Sequence, residues 1–311
     1  MTEQVTEKRA AGGFAATVWY WVKLISRDPA GLLGLIIVAA FVIWSIIQGV
    51  LEILATYLRD SRLGWLLLPY NPFAQNLAGA FQPPSWAHLM GTNYMGQDIL
   101  SRILYSIPYS AAYPAFLVVL SAILIGAALG ISAGYLGGWW DEILMRITDA
   151  FLSVPAIILA IVVSVLLKAS FIGMIYSFII VWWPIYARLF RAETLRVKAM
   201  DYIAAAQLYG VSPLRLFFKY LFINTIDPII AYAMLDFGNV ILAAAILNFI
   251  GVGLQPGLPI LGEMASDGVS WGFPKYWWWA VFPSITILII ALGFVLLGDR
   301  LQDIIGGRAV Y

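Results

Sequence analysis

The chain has 311 residues, 62% of them hydrophobic and only 11% charged, with a net charge of +1. A soluble domain carries about 25% charged residues, so the composition excludes a soluble fold and predicts one polytopic membrane domain. The balanced charge leaves no basic field for nucleic acid. The lack of Cys excludes disulfides, thiol catalysis and Cys-based metal sites, and the single histidine, His88, cannot build a His-rich metal site.

The N-terminus does not read as a cleavable signal peptide. Its first apolar run begins late, is too long for a signal h-region and lacks a small-residue cleavage pattern. Residues 14–26 are mildly amphipathic, with Trp19, Tyr20, Trp21 and Leu24 beside Lys23 and Arg27, and are expected to lie along the inner interface. Asp28-Pro29 opens the first membrane helix. Crossing a bilayer takes about 20 apolar residues. Stretches of that kind fall at 31–57, 111–134, 147–167, 171–189, 229–250 and 277–297. Only Lys168-Ala169-Ser170 separates the third from the fourth, which predicts a tight helical hairpin. The expected organisation is an N-terminal cytoplasmic segment, 1–28, and a transmembrane domain, 29–311. The latter carries external loops at 59–107 and 251–276 and a cytoplasmic loop at 190–225.

Basic residues set the orientation. Segments on the side of the N-terminus hold Lys8, Arg9, Lys23, Arg27, Arg146, Arg188, Arg191, Arg196, Lys198, Arg215, Lys219, Arg300 and Arg308. The other side holds only Arg59, Arg62, Arg102, Lys168 and Lys275. Both termini and the 190–225 loop are therefore expected in the cytoplasm.

Polar residues in apolar surroundings come next. Gln48 and Glu52, one turn apart near the outer end of the first span, are expected to snorkel toward the interface. Asp98 and Arg102 are spaced as an i,i+4 pair on an outer-loop helix, a solvated face or a support for docking of a binding protein. In the cytoplasmic loop, Asp201-Tyr202-Ile203-Ala204-Ala205-Ala206-Gln207-Leu208-Tyr209-Gly210 predicts a short helix. Its small face, Ala204, Ala205 and Ala206, would let it sit deep in a partner's groove. Any cytoplasmic helix-turn-helix could share this pattern. Gly210 ends the helix by taking the left-handed conformation. Ser212 and Pro213 open the next helix as N-cap and first position.

Asp236 and Asn239 lie inside the fifth span on one helical face. A carboxylate near the bilayer centre costs about 3 kcal/mol on insertion scales, so it should face a polar path or a packing partner. The opposite face, Ile230, Met234, Ile241 and Leu242, would supply apolar cover. Gly251 and Gly253 follow a membrane helix and precede no βαβ pattern, so they mark a turn. Tyr276 with Trp277-Trp278-Trp279 at the outer end of the last span reads as an aromatic belt. No G-x-x-x-x-G-K-[ST] loop is present to cradle phosphates, and no Ser–His or Cys–His arrangement can be assembled.

Several of these segments carry a resemblance. Residues 201–210 resemble the "EAA" coupling loop of ABC importer permeases. Residues 88–102, with Gly91-Thr92-Asn93-Tyr94-Met95-Gly96-Gln97-Asp98-Ile99-Leu100-Ser101-Arg102, look like the "GTDxxGRDxLSR" segment of the dipeptide/oligopeptide/nickel importer permeases. Phe249-Ile250-Gly251-Val252-Gly253-Leu254-Gln255-Pro256 resembles the "FLGLGxQP" turn of that family. Gly262-Glu263-Met264 and Asp267-Gly268 follow it, and Leu297-Gly298-Asp299-Arg300-Leu301-Gln302-Asp303 is close to its "LGDxLRD" ending. Gly134-Tyr135-Leu136-Gly137-Gly138, with Asp141, Met145, Arg146, Asp149 and Pro155, is similar to its second cytoplasmic turn. The departures are an Ala at position 204, where the family usually has an acid, Ile223 in place of a Pro, and Asn93 and Gln97 in place of an Asp and an Arg. The missing acid removes a salt bridge that would otherwise be carried over, but not the helix, because Ala is the best helix former.

The resemblance implies an all-α, six-span type I importer permease with both termini cytoplasmic, the C-type member of a two-permease pair in the cell membrane. It implies ATPase coupling through Asp201, Tyr202, Ala204, Ala205, Ala206, Gly210, Ser212 and Arg215, and a translocation path near Asp236 and Asn239. The expected partners are a second homologous permease, two cytoplasmic ATPases that bind the ATP and Mg, an extracellular solute-binding protein and membrane lipid. The chain itself would need no cofactor and would not be an enzyme. Peptides are the implied solutes, although members of such families also carry oligosaccharides or nickel. A standalone channel or ion-coupled transporter with Asp236 as its ion site is the alternative from another class. A solitary carboxylate and the lack of an inverted-repeat pattern speak against it. An integral-membrane enzyme would need a cluster of His, Asp or Glu at one membrane face, which the sequence lacks.

Overall fold

The computed structural model describes residues 14–255 and 257–306. Lys8, Arg9, Arg308 and Pro256, used above, lie outside them. The described residues form helices and turns with no strand, only two isolated bridges. Helices are the form in which a single chain segment satisfies its own backbone in lipid. Five helical runs are long and apolar enough to cross a membrane: Pro29–Leu58, Ile99–Leu136, Phe171–Lys198, Pro213–Phe249 and Trp277–Ile305.

Helix α1 (Phe14–Ile25) buries Leu24 and Ile25 and leaves Trp19 outward, which agrees with the amphipathic reading of 14–26. Asp28 caps α2 (Pro29–Leu58), its carboxylate accepting from the Gly31 amide at 2.7 Å, with Pro29 at the first position as expected. The second run is longer than the sequence suggests. Helix α3 (Ile99–Ile107) passes through a wide π-type turn, Pro108–Ala112, into α4 (Tyr113–Leu136).

The continuous third span expected at 147–167 is not formed. Helix α5 (Gly138–Leu152) and helix α6 (Ala156–Leu166) meet at an 89° bend. Pro155 has no N–H to give a helix and disfavours helical backbone at Val154, so the chain breaks at 153–155 and restarts at Ala156. At about 1.5 Å per residue the 11-residue α6 covers roughly 16 Å, half a hydrocarbon core. The stretch expected as one span is thus a bent pair rather than one helix. The hairpin after it is as tight as predicted. Lys168 and Ala169 take left-handed backbone, and the Ser170 hydroxyl caps α7 (Phe171–Lys198) through the Gly173 amide.

The packed centre is the α4–α7 pair. Gly126, Gly130 and Gly134 recur every fourth residue on α4, facing Ala187, Phe190 and Thr194 of α7. A Cβ on Gly130 would come within 2.8 Å of the Phe190 Cβ, and one on Gly134 within 2.9 Å of the Thr194 Cβ. Lipid supplies no hydrophobic drive between helices, so association rests on this close approach. Gly130→Leu is expected to destabilise the purified permease by about 3 kcal/mol, the upper range for overpacking, read as a lower melting temperature in detergent. Leu124→Ala, on the exposed face of the same helix, should stay within about 0.5 kcal/mol. Equal melting of both variants would show that the pair does not depend on the stripe.

The remaining membrane helices are α9 (Ile223–Phe249) and α11 (Trp277–Ile305), with α11 packed between α9 and α2. A short α10 (Leu261–Gly272) lies against α11. Residues 59–98 fold over the end of the bundle where α11 begins. The Trp278 indole donates to the Thr92 carbonyl at 3.2 Å, Tyr276 stacks on Phe81 at 4.1 Å, and Trp279 stacks on Tyr94 at 5.3 Å. This corrects the aromatic-belt reading. Trp277 is 44% exposed, but Trp279 is 1% exposed and Trp278 is buried, so those two hold the outer layer instead of facing an interface. Asn93 and Gln97, which depart from the family pattern, bond to each other at 2.9 Å, and the Asn93 Oδ1 accepts from the Met95 and Gln97 amides. Gly251 and Gly253 form the expected turn, both with positive φ, and the Gly253 amide donates to the Ala169 carbonyl.

Candidate functional site

Of the expected 190–225 loop, residues up to Lys198 continue α7 and those from Ile223 begin α9, so only the stretch between them connects the two helices. Helix α8 (Asp201–Leu208) starts at Asp201, with the acid in its first turn where the helix dipole favours it. Gly210 follows with φ +71° and open space around it, as the sequence predicts. Ser212 takes the extended backbone of an N-cap, and Pro213 opens one helical turn, Pro213–Arg215. The Ser212 side chain makes no capping hydrogen bond, so the expected cap is one of backbone only. The chain then winds through a π-type turn, Leu216–Phe222, into α9.

The three alanines do not form one small face. A residue advances about 100° round a helix, so three neighbours cannot share a side. Ala206 is buried with Ile203, while Ala204 and Ala205 face outward. The outward surface is apolar and bare: Leu208 is 88% and Tyr209 89% exposed, and Tyr202, Leu214 and Phe218 are exposed too. Asp201 and Arg215 flank it, both exposed. The end of α7 that leads into α8 is tied to its neighbours. The Lys198 ammonium donates to the Tyr135 carbonyl at 2.7 Å, and Arg191 forks onto Asp141 with bonds of 2.5 and 2.6 Å. Arg188 pairs with Asp149 of α5. These bonds fix α5 and the end of α4 to α7.

Asp236 sits in the middle of α9 and is 3% exposed. Its Oδ2 accepts from the Trp182 indole and from the Tyr186 hydroxyl, both at 2.9 Å and both on α7. The carboxylate lines a cleft of about 610 Å³ together with Asn239, Trp182, Tyr232 and the bend residues Leu152 and Pro155. Asn239 shares the cleft as expected, although its side is exposed. The apolar cover proposed for the opposite face is only partly there. Ile230 and Leu242 are exposed, but Ile241 is buried in the core. Trp182 and Tyr186 escaped sequence reasoning. Their signal was available: two side chains with polar tips, one turn apart in an apolar span, each needing a partner when buried.

Two other polar pairs differ from expectation. Gln48 and Glu52 do not snorkel. Both are buried, with Gln48 Nε2 donating to Glu52 Oε1 at 2.8 Å and to the Gly64 carbonyl at 2.7 Å, because the layer over the helix end offers closer partners than the interface. Asp98 does not pair with Arg102. It caps α3 through the Ser101 amide and hydroxyl, and it meets His88 Nδ1 at 2.9 Å. Arg102 instead donates to the Pro72 carbonyl. Its charge also reaches Glu263 and Asp267 on α10. Burial raises the carboxyls of Glu263 and Asp267 above their usual range, and Arg102 opposes that shift.

Residues 126–311 match the family described as binding-protein-dependent transport system inner membrane component. The chain is 37% identical over 243 residues to the probable D,D-dipeptide transport system permease protein DdpC of Escherichia coli, covering 78% of this chain and 81% of the relative. It is 34% identical over 292 residues to the dipeptide transport system permease protein DppC of Haemophilus influenzae, covering 92% of each. It is also 34% identical over 241 residues to the di/tripeptide transport system permease protein DppC of Pseudomonas aeruginosa, covering 76% of this chain and 79% of that one.

Proposed function

We propose that this chain, which belongs to the family of binding-protein-dependent transport system inner membrane components, is a permease subunit that carries di- or oligopeptides inward by alternating access, driven by ATP hydrolysis in partner subunits. The observation that carries the reading is the bare apolar surface around Tyr209, which follows the end of α7, a helix that Lys198 and Arg191 hold to α4 and α5. An apolar surface of this kind marks a protein interaction site. On this reading Asp201, Tyr202, Ala204, Ala205, Gly210, Ser212 and Arg215 shape the contact with an ATPase, while Ala206 supports it from beneath. ATP and Mg belong to two such ATPases. A second permease completes the path beside Asp236 and Asn239, and an external binding protein delivers the solute. Peptide is favoured as solute by the names of the relatives. Purified with its sister permease, ATPases and binding protein, the complex should hydrolyse ATP faster with peptide and accumulate peptide in vesicles. Failure to associate with ATPases would overturn the reading.

The same reading fixes the orientation. Tyr209 belongs in the cytoplasm, and His88 and Asp267 belong outside, as the Lys/Arg distribution requires. Because the chain has no Cys, Tyr209→Cys or Asp267→Cys gives a single reporter. In sealed right-side-out vesicles an impermeant maleimide should label the cysteine at 267 and spare the one at 209. The reverse pattern would invert the topology and remove the case for ATPase docking.

A further inference from the structure

The layer over the start of α11 carries a loop whose tip the bundle does not use. Residues 82–92 include Gln82-Pro83-Pro84-Ser85-Trp86-Ala87-His88, and Trp86 is 97% exposed. Of the other aromatic residues between 59 and 98, Trp65, Tyr70, Phe73, Phe81 and Tyr94 each pack against another ring. Among the described residues, none stacks on the Trp86 indole or bonds to it. The loop lies at the end of the bundle away from α8. The run Ile99–Leu136 starts beside it, the Ile99 amide donating to the Gly91 carbonyl at 3.1 Å. That run ends at Tyr135 and Leu136, where Tyr135 holds Lys198 of the α7 end that leads into α8.

A lone exposed apolar side chain is ordinary, and on a slack loop it would fold back onto the nearest surface. This loop is not slack. The Gln82 amide donates to the Thr92 hydroxyl and the Thr92 amide to the Gln82 carbonyl, both at 2.9 Å, which closes the neck. Pro83 and Pro84 fix two successive φ angles. Beyond them, the Ser85 amide donates to the His88 carbonyl at 2.9 Å, and the His88 amide returns to the Ser85 hydroxyl at 3.2 Å. The Tyr70 hydroxyl donates to the Ala87 carbonyl at 2.7 Å, and the His88 ring is anchored on Asp98. All of these bonds leave the indole outside. A tryptophan presented on a fixed backbone has little freedom left to lose on binding, and such residues carry much of the energy of protein contacts.

Resting on the peptide-import reading, we infer that Trp86 is an anchor by which the external solute-binding protein docks, its indole entering an apolar pocket of that protein that offers an acceptor to the Nε1–H. Transport in this family is binding-protein-dependent, and with the ATPases at α8 the binding protein meets the opposite end of the bundle. The seat of the loop favours a protein over lipid. Its end rests on the first turns of two helices, the Trp278 indole of α11 donating to the Thr92 carbonyl and the Ile99 amide of α3 to the Gly91 carbonyl. A loop seated across two helix starts covers the end of the bundle, which a docking protein faces, and not the flank, which lipid faces.

The test uses the full complex of two permeases and two ATPases in nanodiscs, titrated with its purified binding protein loaded with glycyl-phenylalanine. Trp86→Ala should weaken that binding about thirtyfold, the loss of one anchor residue. Assembly with the sister permease and melting temperature should stay at wild type, because the indole touches nothing in this chain. Trp86→Phe, which keeps a ring, should bind within about threefold of wild type. A second readout places the tip itself. Ala87 is exposed and the chain has no Cys, so a solvent-sensitive maleimide dye on Ala87→Cys reports on this position alone. Its emission should be that of a dye in water and shift to the blue when the binding protein is added. Unchanged affinity in Trp86→Ala would overturn the anchor. So would loss of assembly with the sister permease, which would give Trp86 to that interface, or blue emission before any binding protein is added, which would give it to lipid. The parent reading fails differently. A complex that imports dipeptide and binds its binding protein equally well with Trp86→Ala loses only the anchor, whereas a wild-type chain that joins no ATPase loses both.

Discussion

Ala205→Trp is expected to leave the permease inserted and as stable as the wild type, yet to reduce peptide-stimulated ATP hydrolysis by the assembled complex at least about tenfold, the equivalent of 1.4 kcal/mol of contact. The expectation follows from the division of labour within α8. Ala205 faces outward beside Leu208 and Tyr209 and touches nothing in this chain that an indole would disturb. In a partner's groove the same indole would have to displace the wall. Ala206→Trp, one residue on, is the contrasting case. Ala206 is buried with Ile203, so the larger side chain should lower the melting temperature of the isolated subunit through overpacking, about 1–3 kcal/mol. Gly210→Pro attacks the same contact from the backbone. The native φ of +71° is closed to proline, whose ring holds φ near −65°. The turn between α8 and Pro213 should then open and the exposed face lose its shape. Wild-type stimulation in complexes carrying Ala205→Trp would show that this face is not the contact, and the coupling assignment would fall with it.

Much of this architecture could be read from composition, because the bilayer enforces it. Five of the six expected spans, the Asp28 cap, the 168–170 hairpin and the Gly210 turn each follow from local chemistry, and the structure contains each of them. The misses share one physical cause. Length and hydropathy report depth in the membrane, while rotation about a helix axis and pairing across the bundle depend on residues far away in sequence. Trp278 and Trp279 read as interface residues until residues 81–94 fold over them. Glu52 reads as a snorkelling side chain until Gln48, itself bonded to the Gly64 carbonyl, donates to it. The break at Pro155 was legible in principle, since proline disfavours helix at the residue before it. The length of the apolar run at 147–167 outweighed that signal.

Asp236 is the other position from which a large effect is expected, and the structure separates its two possible roles. Replacing it with Leu leaves the Trp182 indole and the Tyr186 hydroxyl buried without an acceptor. Each such donor costs about 1–3 kcal/mol, so Asp236→Leu should lower the melting temperature of the subunit markedly. Removing the donors as well, with Trp182→Phe and Tyr186→Phe, should recover most of that loss, because an apolar set of similar shape has nothing left to satisfy. Transport answers a different question. The carboxylate also lines the 610 Å³ cleft, where Asn239 is exposed beside it. If Asp236 meets the solute, uptake in proteoliposomes stays impaired in the stable triple variant, and Asp236→Asn assembles normally but shifts substrate preference. If Asp236 only holds α7 to α9, uptake returns together with stability. The cleft favours the first outcome: a residue needed only for packing would gain nothing from standing at a cavity wall, and an inserted carboxylate costs about 3 kcal/mol that a hydroxyl or amide would largely avoid. Wild-type stability and uptake in Asp236→Leu would remove Asp236 from both roles.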